Sequence, residues 1–306
     1  MTRDRVRFAA TAAAVGLWTL SSAATKSGNP VETASYALAY HDVAGSYHDL
    51  SMFVLPDARV AIDAVGGPAG DYAMSTEEGI AEQLGPRRWR WTAPGRPGVA
   101  TLRFAGPGKP AGKDAIALRA FVMVPASAVK RGVLNGYRIG DYPPPLNGNA
   151  LYRAPAGFIE VTRDNENTKL SPHFTLKQFI CKEDTTKTFP KYVVVQERLL
   201  LELEAVLERV NALGFKADAL HVMSAYRTPY YNHAIGDVKY SMHQFGGAAD
   251  VYVDGLAASV LHDEIDKLMA ADPRRLQGGL GLYPVTKAHP AFVHVDVRGK
   301  AARWRG

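Results

Sequence analysis

Two hydrophobic patterns divide the chain. From about residue 31 to residue 125, short apolar runs are separated by glycine and proline turns, and the alternation in Trp89 and Trp91 is typical of strands. The runs are Ser51–Pro56, Arg59–Val65, Arg88–Ala93, Val99–Phe104 and Ala115–Val124. Their spacing predicts a small all-β, sandwich-like domain over residues 31–128.

The second half mixes two periodicities. Apolar residues at three- and four-residue steps predict a long amphipathic helix over Lys191–Leu213, ended by Gly214, and a second one over Leu256–Ala271. Strand-like runs lie between and after them, at Ala219–Tyr226, Ala248–Val253, Gly279–Tyr283 and Phe292–Val297. This order predicts an α+β domain over residues 166–306, with an antiparallel sheet flanked by helices.

The segment between the halves, residues 129–165, is rich in proline, glycine and aromatic residues. That composition disfavours a helix, and its aromatic content disfavours a flexible tether. We expect an ordered, extended connector that lies on a neighbouring part of the fold.

The first residues have the three-part pattern of a secretory signal peptide. Three arginines precede an uncharged stretch, Phe8–Thr25, that is apolar through Leu20 and ends in small residues. The apolar part is shorter than the roughly 20 residues that span a bilayer. We therefore predict a signal peptide over residues 1–24, a periplasmic mature protein and no stable membrane insertion after the signal is removed.

The cysteine count and the net charge limit the kinds of metal site and partner that this protein can have. The only cysteine is Cys181, so an internal disulfide and a thiolate metal site are excluded, and a metal would need histidine and carboxylate ligands. The formal net charge is +6, but part of it lies in the first residues and no basic run is interleaved with aromatics. The sequence therefore predicts no nucleic-acid partner.

Three short motifs contain candidate catalytic chemistry. His243 and Asp250 are seven positions apart across a glycine pair, which lets the backbone fold back and bring both side chains to one site. His294 and Asp296 alternate on a predicted strand and so share a face. Two histidines and one aspartate leave a fourth position open for water, as in catalytic zinc sites. Arg227 offers a fixed cation for a substrate carboxylate or an oxyanion.

Together these motifs resemble a known family. Ser-x-His-x-x-Gly-x-Ala-x-Asp from Ser241, the preceding Ser-x-Tyr-Arg and the later His-x-Asp are similar to the zinc D-Ala-D-Ala carboxypeptidases, which include D,D-dipeptidases and peptidoglycan endopeptidases. The likeness covers roughly Ser171 to Arg305. It implies zinc on His243, Asp250 and His294, substrate binding by Ser241, and stabilisation of the substrate carbonyl by Arg227.

The sequence departs from the family pattern at one position. Many members place a Glu or Asp three residues before the last zinc-binding histidine, where it acts as general base, and here that position is Ala291. Asp296 is the first alternative for the base and His289 the second. An equally open interpretation makes Asp296 a group that orients a ligand histidine.

The sequence thus predicts an exported zinc metallopeptidase, similar to D,D-carboxypeptidases, that hydrolyses peptidoglycan stem peptides. Because the general base is missing from its usual position, a zinc-containing protein that binds the wall without cutting it is the alternative. A metal-free structural protein is the third possibility. The choice between carboxypeptidase and endopeptidase, and between D,D and L,D bonds, stays open at this stage.

Overall fold

The computed structural model describes residues 31–108, 114–183, 188–215 and 217–306. The predicted signal peptide, residues 1–24, lies outside these ranges. The described residues form a mixed α+β structure that is rich in sheet, in agreement with the predicted class.

The N-terminal part contains two sheets. Its strands are β1 (Thr33–Tyr40), β2 (Val43–Tyr47), β3 (Asp49–Val54), β4 (Arg59–Val65), β5 (Ala73–Thr76), β6 (Ile80–Gly85), β7 (Arg88–Thr92), β8 (Gly98–Ala105) and β9 (Ala115–Val122). One sheet has the order β2-β1-β4-β7-β6 and the other β3-β9-β8-β5. Apolar side chains from both sheets share one buried cluster, which includes Leu38, Trp91 and Leu118.

Each of the five apolar runs predicted here overlaps a strand, but the prediction missed four further strands, β1, β2, β5 and β6. In β1 the buried residues Ala34, Tyr36, Leu38 and Tyr40 alternate regularly, so the signal was present. In β6 all residues but the last are exposed, and no alternation marks the strand. An edge strand that buries neither face has no hydrophobic pattern to detect.

Short elements connect the two parts. They are β10 (Val124–Pro125), β11 (Val133–Leu134), β12 (Tyr137–Arg138), β13 (Gly157–Val161) and β14 (Lys191–Val193). Strand β13 pairs with both β10 and β14. The intervening aromatic residues lie on the C-terminal part, since the hydroxyl oxygens of Tyr142 and Tyr226 are 2.9 Å apart.

The C-terminal part is built on a five-stranded sheet. Its elements are α1 (Glu197–Ala212), β15 (His221–Ser224), α2 (Pro229–Ala234), β16 (Ala248–Tyr252), α3 (Ala258–Ala271), α4 (Pro273–Leu276), β17 (Gly279–Tyr283), β18 (Phe292–Asp296) and β19 (Ala302–Arg305). The strand order is β15-β16-β18-β17-β19. Among the described residues, no helix is both long and apolar enough to cross a membrane.

Two details of the prediction for this part were wrong. The first helix begins at Glu197 rather than Lys191, because Lys191–Val193 pairs with β13 as a strand. The sheet is antiparallel except at one edge, where the unpredicted strand β19 runs parallel to β17. Only two of its four residues are partly buried, so its sequence shows little apolar signal.

The two faces of this sheet differ in character. Val251, Val293 and Val295 are fully buried in a cluster shared with α1 and α3. Residues of the opposite parity include Asp250, His294 and Asp296. Because side chains alternate along a strand, one face of the sheet is covered by helices and the other displays polar groups.

The N-terminal sheets contact the C-terminal part at α1. The Glu197 carboxylate accepts a hydrogen bond from the backbone N–H of Phe53 at 3.1 Å and lies 3.0 Å from Nδ1 of His41. The buried Ser51 hydroxyl donates to the carbonyl of Leu170 at 2.7 Å. Polar groups that are buried and paired across a contact fix how the two parts meet.

Candidate metal centre

The strand register aligns one row of residues across the polar face of the C-terminal sheet. Ser224 lies opposite Asp250, Asp250 opposite His294, His294 opposite Gly281, and Gly281 opposite Trp304. Residues opposite one another on neighbouring strands have their Cβ atoms about 4.5–5.5 Å apart. The register therefore brings Asp250 and His294 together, although 44 positions separate them.

His243 reaches this row from a short 3₁₀ helix, Met242–Phe245, that precedes β16. The helix ends at Gly246 in the left-handed conformation, with φ of 68°. A Cβ at that position would lie 2.5 Å from the carbonyl oxygen of Val194, so both the turn and the close approach require glycine. His243 Nδ1 lies 2.6 Å from the carbonyl oxygen of Ala225. That contact assigns the proton to Nδ1 and leaves Nε2 as the free lone pair.

Three ligand atoms converge on one point. His243 Nε2 lies 3.1 Å from His294 Nδ1 and 3.2 Å from Asp250 Oδ1, and the last two atoms are 2.9 Å apart. All three side chains are buried. Ligands of a tetrahedral zinc at 2.0–2.1 Å are separated by about 3.3 Å, so two nitrogens and one carboxylate oxygen fit such an ion.

Asp296 contacts the side of the His294 ring that points away from His243 and Asp250. Its Oδ2 is 3.1 Å from His294 Nε2, the ring nitrogen that faces away from the other ligands. Its oxygens also accept hydrogen bonds from the Gly279 N–H and from the Arg298 backbone and guanidinium. The side chain has no exposed surface. These contacts favour the orienting role that the sequence left open over the role of general base.

Arg227 is held against the ligand set. Its guanidinium donates to Asp250 Oδ2 at 2.5 Å, to Asp237 at 2.7 Å and to the Ser224 hydroxyl at 3.0 Å. The side chain is 14% exposed, so most of it is enclosed by the protein. In this arrangement Arg227 positions the second oxygen of Asp250. Its predicted contact with a substrate carbonyl stays a prediction.

The other two predicted residues are Ser241 and His289. Ser241 is buried and directly precedes the 3₁₀ helix of His243, and its hydroxyl makes no hydrogen bond within the described residues. His289 is half-buried, with its ring edge-on to Phe292 at 5.1 Å. It is not part of the ligand cluster found among the described residues.

The electrostatics of the cluster are strongly coupled. Burial lowers the pKa of His243. Burial also opposes the charge of His294, but the hydrogen bonds that its ring donates to Asp250 and Asp296 outweigh this effect and raise the pKa of His294 to about 9. Burial alone would raise the pKa of Asp250, yet the two imidazoles lower it well below its usual range. In the metal-free protein, therefore, His294 carries the proton that a bound metal would displace.

Sequence reasoning missed Trp304. Its ring centroid lies 5.1 Å from that of His294, and its indole N–H donates to the Tyr283 hydroxyl at 2.9 Å. A Cβ on Gly281 would overlap this indole, and one on Gly279 would overlap the Asp296 carboxylate. Two glycines on one face of a strand are the signal that could have indicated such close approaches.

Comparison with known families decides the class of the C-terminal part. Residues 190–304 match the family model Peptidase_M15_2, described as peptidoglycan L,D-endopeptidase MepK. The match confirms the resemblance to the zinc peptidases for this part of the chain alone, which we call the M15 region. M15 peptidases are zinc-dependent, and the three convergent ligands all lie within the M15 region.

Other comparisons add little. No curated protein matches the chain. Among solved structures, the adhesin InvE of Yersinia pseudotuberculosis aligns with 30% of this chain and 27% of its own, at 15% identity and a TM-score of 0.20. A GH5 xyloglucanase of Bacteroides ovatus aligns with 80% of this chain and 45% of its own, at 14% identity and a TM-score of 0.18. The chain spans less than half of either protein, and likenesses at these scores carry no argument.

Proposed function

We propose that the protein is an exported, zinc-dependent peptidase that hydrolyses the stem peptides of peptidoglycan. The observation that carries the proposal is the convergence of His243, Asp250 and His294 within the M15 region. Zinc on these ligands would lower the pKa of a bound water to roughly 7 and polarise the scissile carbonyl.

The chain's own residues would prepare the site for this chemistry. The Ala225 carbonyl and Asp296 hold the outer ring nitrogens of His243 and His294, so that each imidazole presents its other nitrogen to the metal. Arg227 fixes Asp250 and would offer its remaining N–H donors to the substrate carbonyl. The hydroxyl of Ser241, which has no hydrogen-bond partner among the described residues, offers a hydrogen bond to the peptide backbone.

The proposal also covers which bond of the stem peptide is cleaved. The motifs alone resemble D,D-carboxypeptidases, whereas the matched family is described as an L,D-endopeptidase. We therefore propose endopeptidase action on cross-linked stems as the first candidate activity and D-Ala-D-Ala carboxypeptidase action as the second.

A digest of defined muropeptides tests both candidates. The zinc-loaded protein is incubated with cross-linked dimers and with pentapeptide monomers, and the products are identified by mass spectrometry. Dimers converted to monomers would support the endopeptidase, and released D-alanine would support the carboxypeptidase. If neither product forms, the enzyme proposal is wrong.

Substitution of a ligand tests the metal assignment. His243→Ala should abolish bound zinc and peptide cleavage together, since the remaining two ligands leave the ion weakly held. His262→Ala is the matched control, because His262 lies on α3 and pairs with Asp263 outside the cluster. A His243→Ala protein that still cleaved muropeptides would remove the metal assignment.

A wall-binding protein without turnover is the second candidate function. Two features favour it: Ala291 stands where many members of the resembled family place the general base, and Asp296 has its oxygens occupied by hydrogen-bond donors. Such a protein would retain zinc and bind muropeptides but release no product. A metal-free structural protein, the third candidate, would hold no zinc in elemental analysis.

The proposal includes a location and an accessory module. We propose that residues 1–24 direct export to the periplasm and that residues 31–128 form a sandwich-like domain that places the M15 region on the wall. Two sheets sharing one buried cluster support the sandwich-like arrangement. Cell fractionation with N-terminal sequencing of the mature protein tests the export, and a mature chain that still begins at Met1 would contradict it.

A further inference from the structure

A second cation, Arg298, lies beside the metal centre. Its guanidinium donates from Nε and Nη2 to the carboxylate of Asp296, at distances of 2.5–2.9 Å. Asp296 is fully buried, whereas the side chain of Arg298 is 21% exposed. The buried carboxylate therefore fixes one edge of the guanidinium and leaves the other edge towards solvent.

The outer edge of this guanidinium is open. Arginine carries five N–H donors, and Nη1 of Arg298 has no hydrogen bond within the part of the chain that the structure describes. Burial opposes the positive charge, but the hydrogen bonds and charge of Asp296 outweigh it and raise the pKa of Arg298. Arg298 is thus a permanent, oriented cation whose unused donors can receive a planar anion.

Trp304 connects this cation to the metal ligands. Cζ of Arg298 lies 5.3 Å from the centroid of the Trp304 ring, and the same ring lies 5.1 Å from that of His294. The two distances together put the guanidinium about 10 Å or less from the His294 ring, which is roughly the length of three residues of extended peptide. A substrate with its scissile bond at the metal centre can therefore reach Arg298 with a residue that lies within about three positions of that bond.

We propose that Arg298, beside the face of Trp304, is a subsite for a free carboxylate of the substrate close to the scissile bond. The inference rests on the proposed function, because peptide stems of peptidoglycan carry such carboxylates. A fork-like pair of N–H groups matches a carboxylate, and an uncharged carboxamide at the same place forms only weaker hydrogen bonds. Arg298 thus determines specificity, while the ligand set and Arg227 act on the scissile bond.

The test compares paired substrates. Two stem peptides are prepared that differ only in whether the carboxylate next to the scissile bond is free or amidated, and kcat/KM is measured for each with the full-length, zinc-loaded protein. The wild type should prefer the free acid by roughly ten- to a hundredfold, the value of a charge-assisted hydrogen bond. Arg298→Gln should bring the ratio close to one, and Arg298→Lys should keep part of it.

A control variant and two contrary outcomes complete this test. Lys300→Gln removes an exposed positive charge from the same loop and should leave the acid-to-amide ratio unchanged. If Arg298→Gln lowers kcat/KM equally for both substrates, Arg298 only supports Asp296 and the subsite is wrong. An equal rate for the two substrates with the wild type would also overturn it.

Binding separates this inference from the proposed function. The affinities of the acid and the amidated peptide are measured by quenching of tryptophan fluorescence, which needs no turnover. A wild type that binds the acid more tightly but cleaves neither peptide would overturn the peptidase and still support the subsite. Equal affinity for both peptides would overturn the subsite, whether or not cleavage occurs.

Discussion

At the scale of single residues, the geometry gives Asp296 a full set of hydrogen-bond partners. Asp296 receives hydrogen bonds from His294, Gly279 and Arg298 and has no exposed surface. A general base needs a lone pair within reach of the attacking water. An orienting group instead needs a hydrogen bond to the ligand that it holds, as Asp296 makes with His294. The two roles therefore predict different effects of a substitution at Asp296.

Asp296→Asn should weaken zinc binding by roughly ten- to a hundredfold, because the outer nitrogen of His294 loses its charged acceptor. The dissociation constant is measured by competition with a chelator, alongside kcat for the fully metal-loaded protein. Asp63→Asn, which removes an exposed ion pair with Arg88, is the control and should change neither quantity. A large loss of kcat at unchanged zinc affinity would instead assign Asp296 as the base.

Zinc affinity should depend on pH through His294. The pKa of this residue is raised to about 9 in the metal-free protein, and zinc needs its neutral form. Below pH 9 binding therefore displaces one proton, and the apparent association constant should rise about tenfold per pH unit between pH 7 and 9. Above pH 9 the dependence should level off.

Chelator competition across this pH range measures the slope. The sign follows from the direction of the shift: a raised pKa stabilises the protonated, metal-free form at low pH, and that advantage disappears as pH rises through the pKa of the folded state. A pH-independent affinity between pH 7 and 9 would contradict the assignment of the proton to His294.

At the scale of elements, the C-terminal sheet acts as the frame of the site. The pairing of β16, β17, β18 and β19 sets Asp250, His294 and Trp304 in one row, and Gly281 keeps the row open between the last two. Strand β19 therefore completes one side of the metal centre, although it is the outermost strand.

Gly281→Ala should disturb this row, because its new Cβ overlaps the Trp304 indole. Overpacking of this kind costs about 1–3 kcal/mol in the free energy of unfolding, measured by urea denaturation. Gly85→Ala is the matched control, since Gly85 also lies in a strand and a Cβ there meets no atom within 4 Å. In a Trp304→Ala background the cost of Gly281→Ala should largely vanish, and an unchanged cost would contradict the overlap.

At the scale of the whole molecule, α1 joins the two parts. One side of this helix packs under the C-terminal sheet, while Glu197 at its start binds the N-terminal strand β3 through the Phe53 N–H. The aromatic connector adds a second contact on the C-terminal part through Tyr142 and Tyr226. The N-terminal sheets are thus anchored to the element that supports the metal centre from behind.

Glu197→Ala should destabilise this contact. It leaves the Phe53 N–H without its acceptor and removes the partner of His41, at a cost of about 1–3 kcal/mol. Glu82→Ala is the control, because the Glu82–Arg90 ion pair is largely exposed and contributes at most about 1 kcal/mol. Urea denaturation measures both variants, and equal effects would show that Glu197 does not anchor the N-terminal sheets.

The sequence by itself determined the mixed helix-and-strand class, the bounds of several strands and the three candidate metal ligands. Alternation and helical spacing indicate which face of an element is buried. In β17 the sequence Gly-Leu-Gly-Leu places the two glycines on one face of the strand and the two leucines on the other. The candidate ligands could be predicted because the residues of each motif lie at short, fixed spacings in the sequence. The class of the M15 region followed from the same motifs.

Only the tertiary structure decided which groups meet across the sheet. Strand order and register depend on long-range pairing that local patterns do not encode, so the position of β19 and the contact of Trp304 with His294 could not be read from the sequence. The same holds for Asp296, whose partners come from β17 and the loop after β18. Residue type shows what a side chain can bind, but the fold determines which of those partners come within reach.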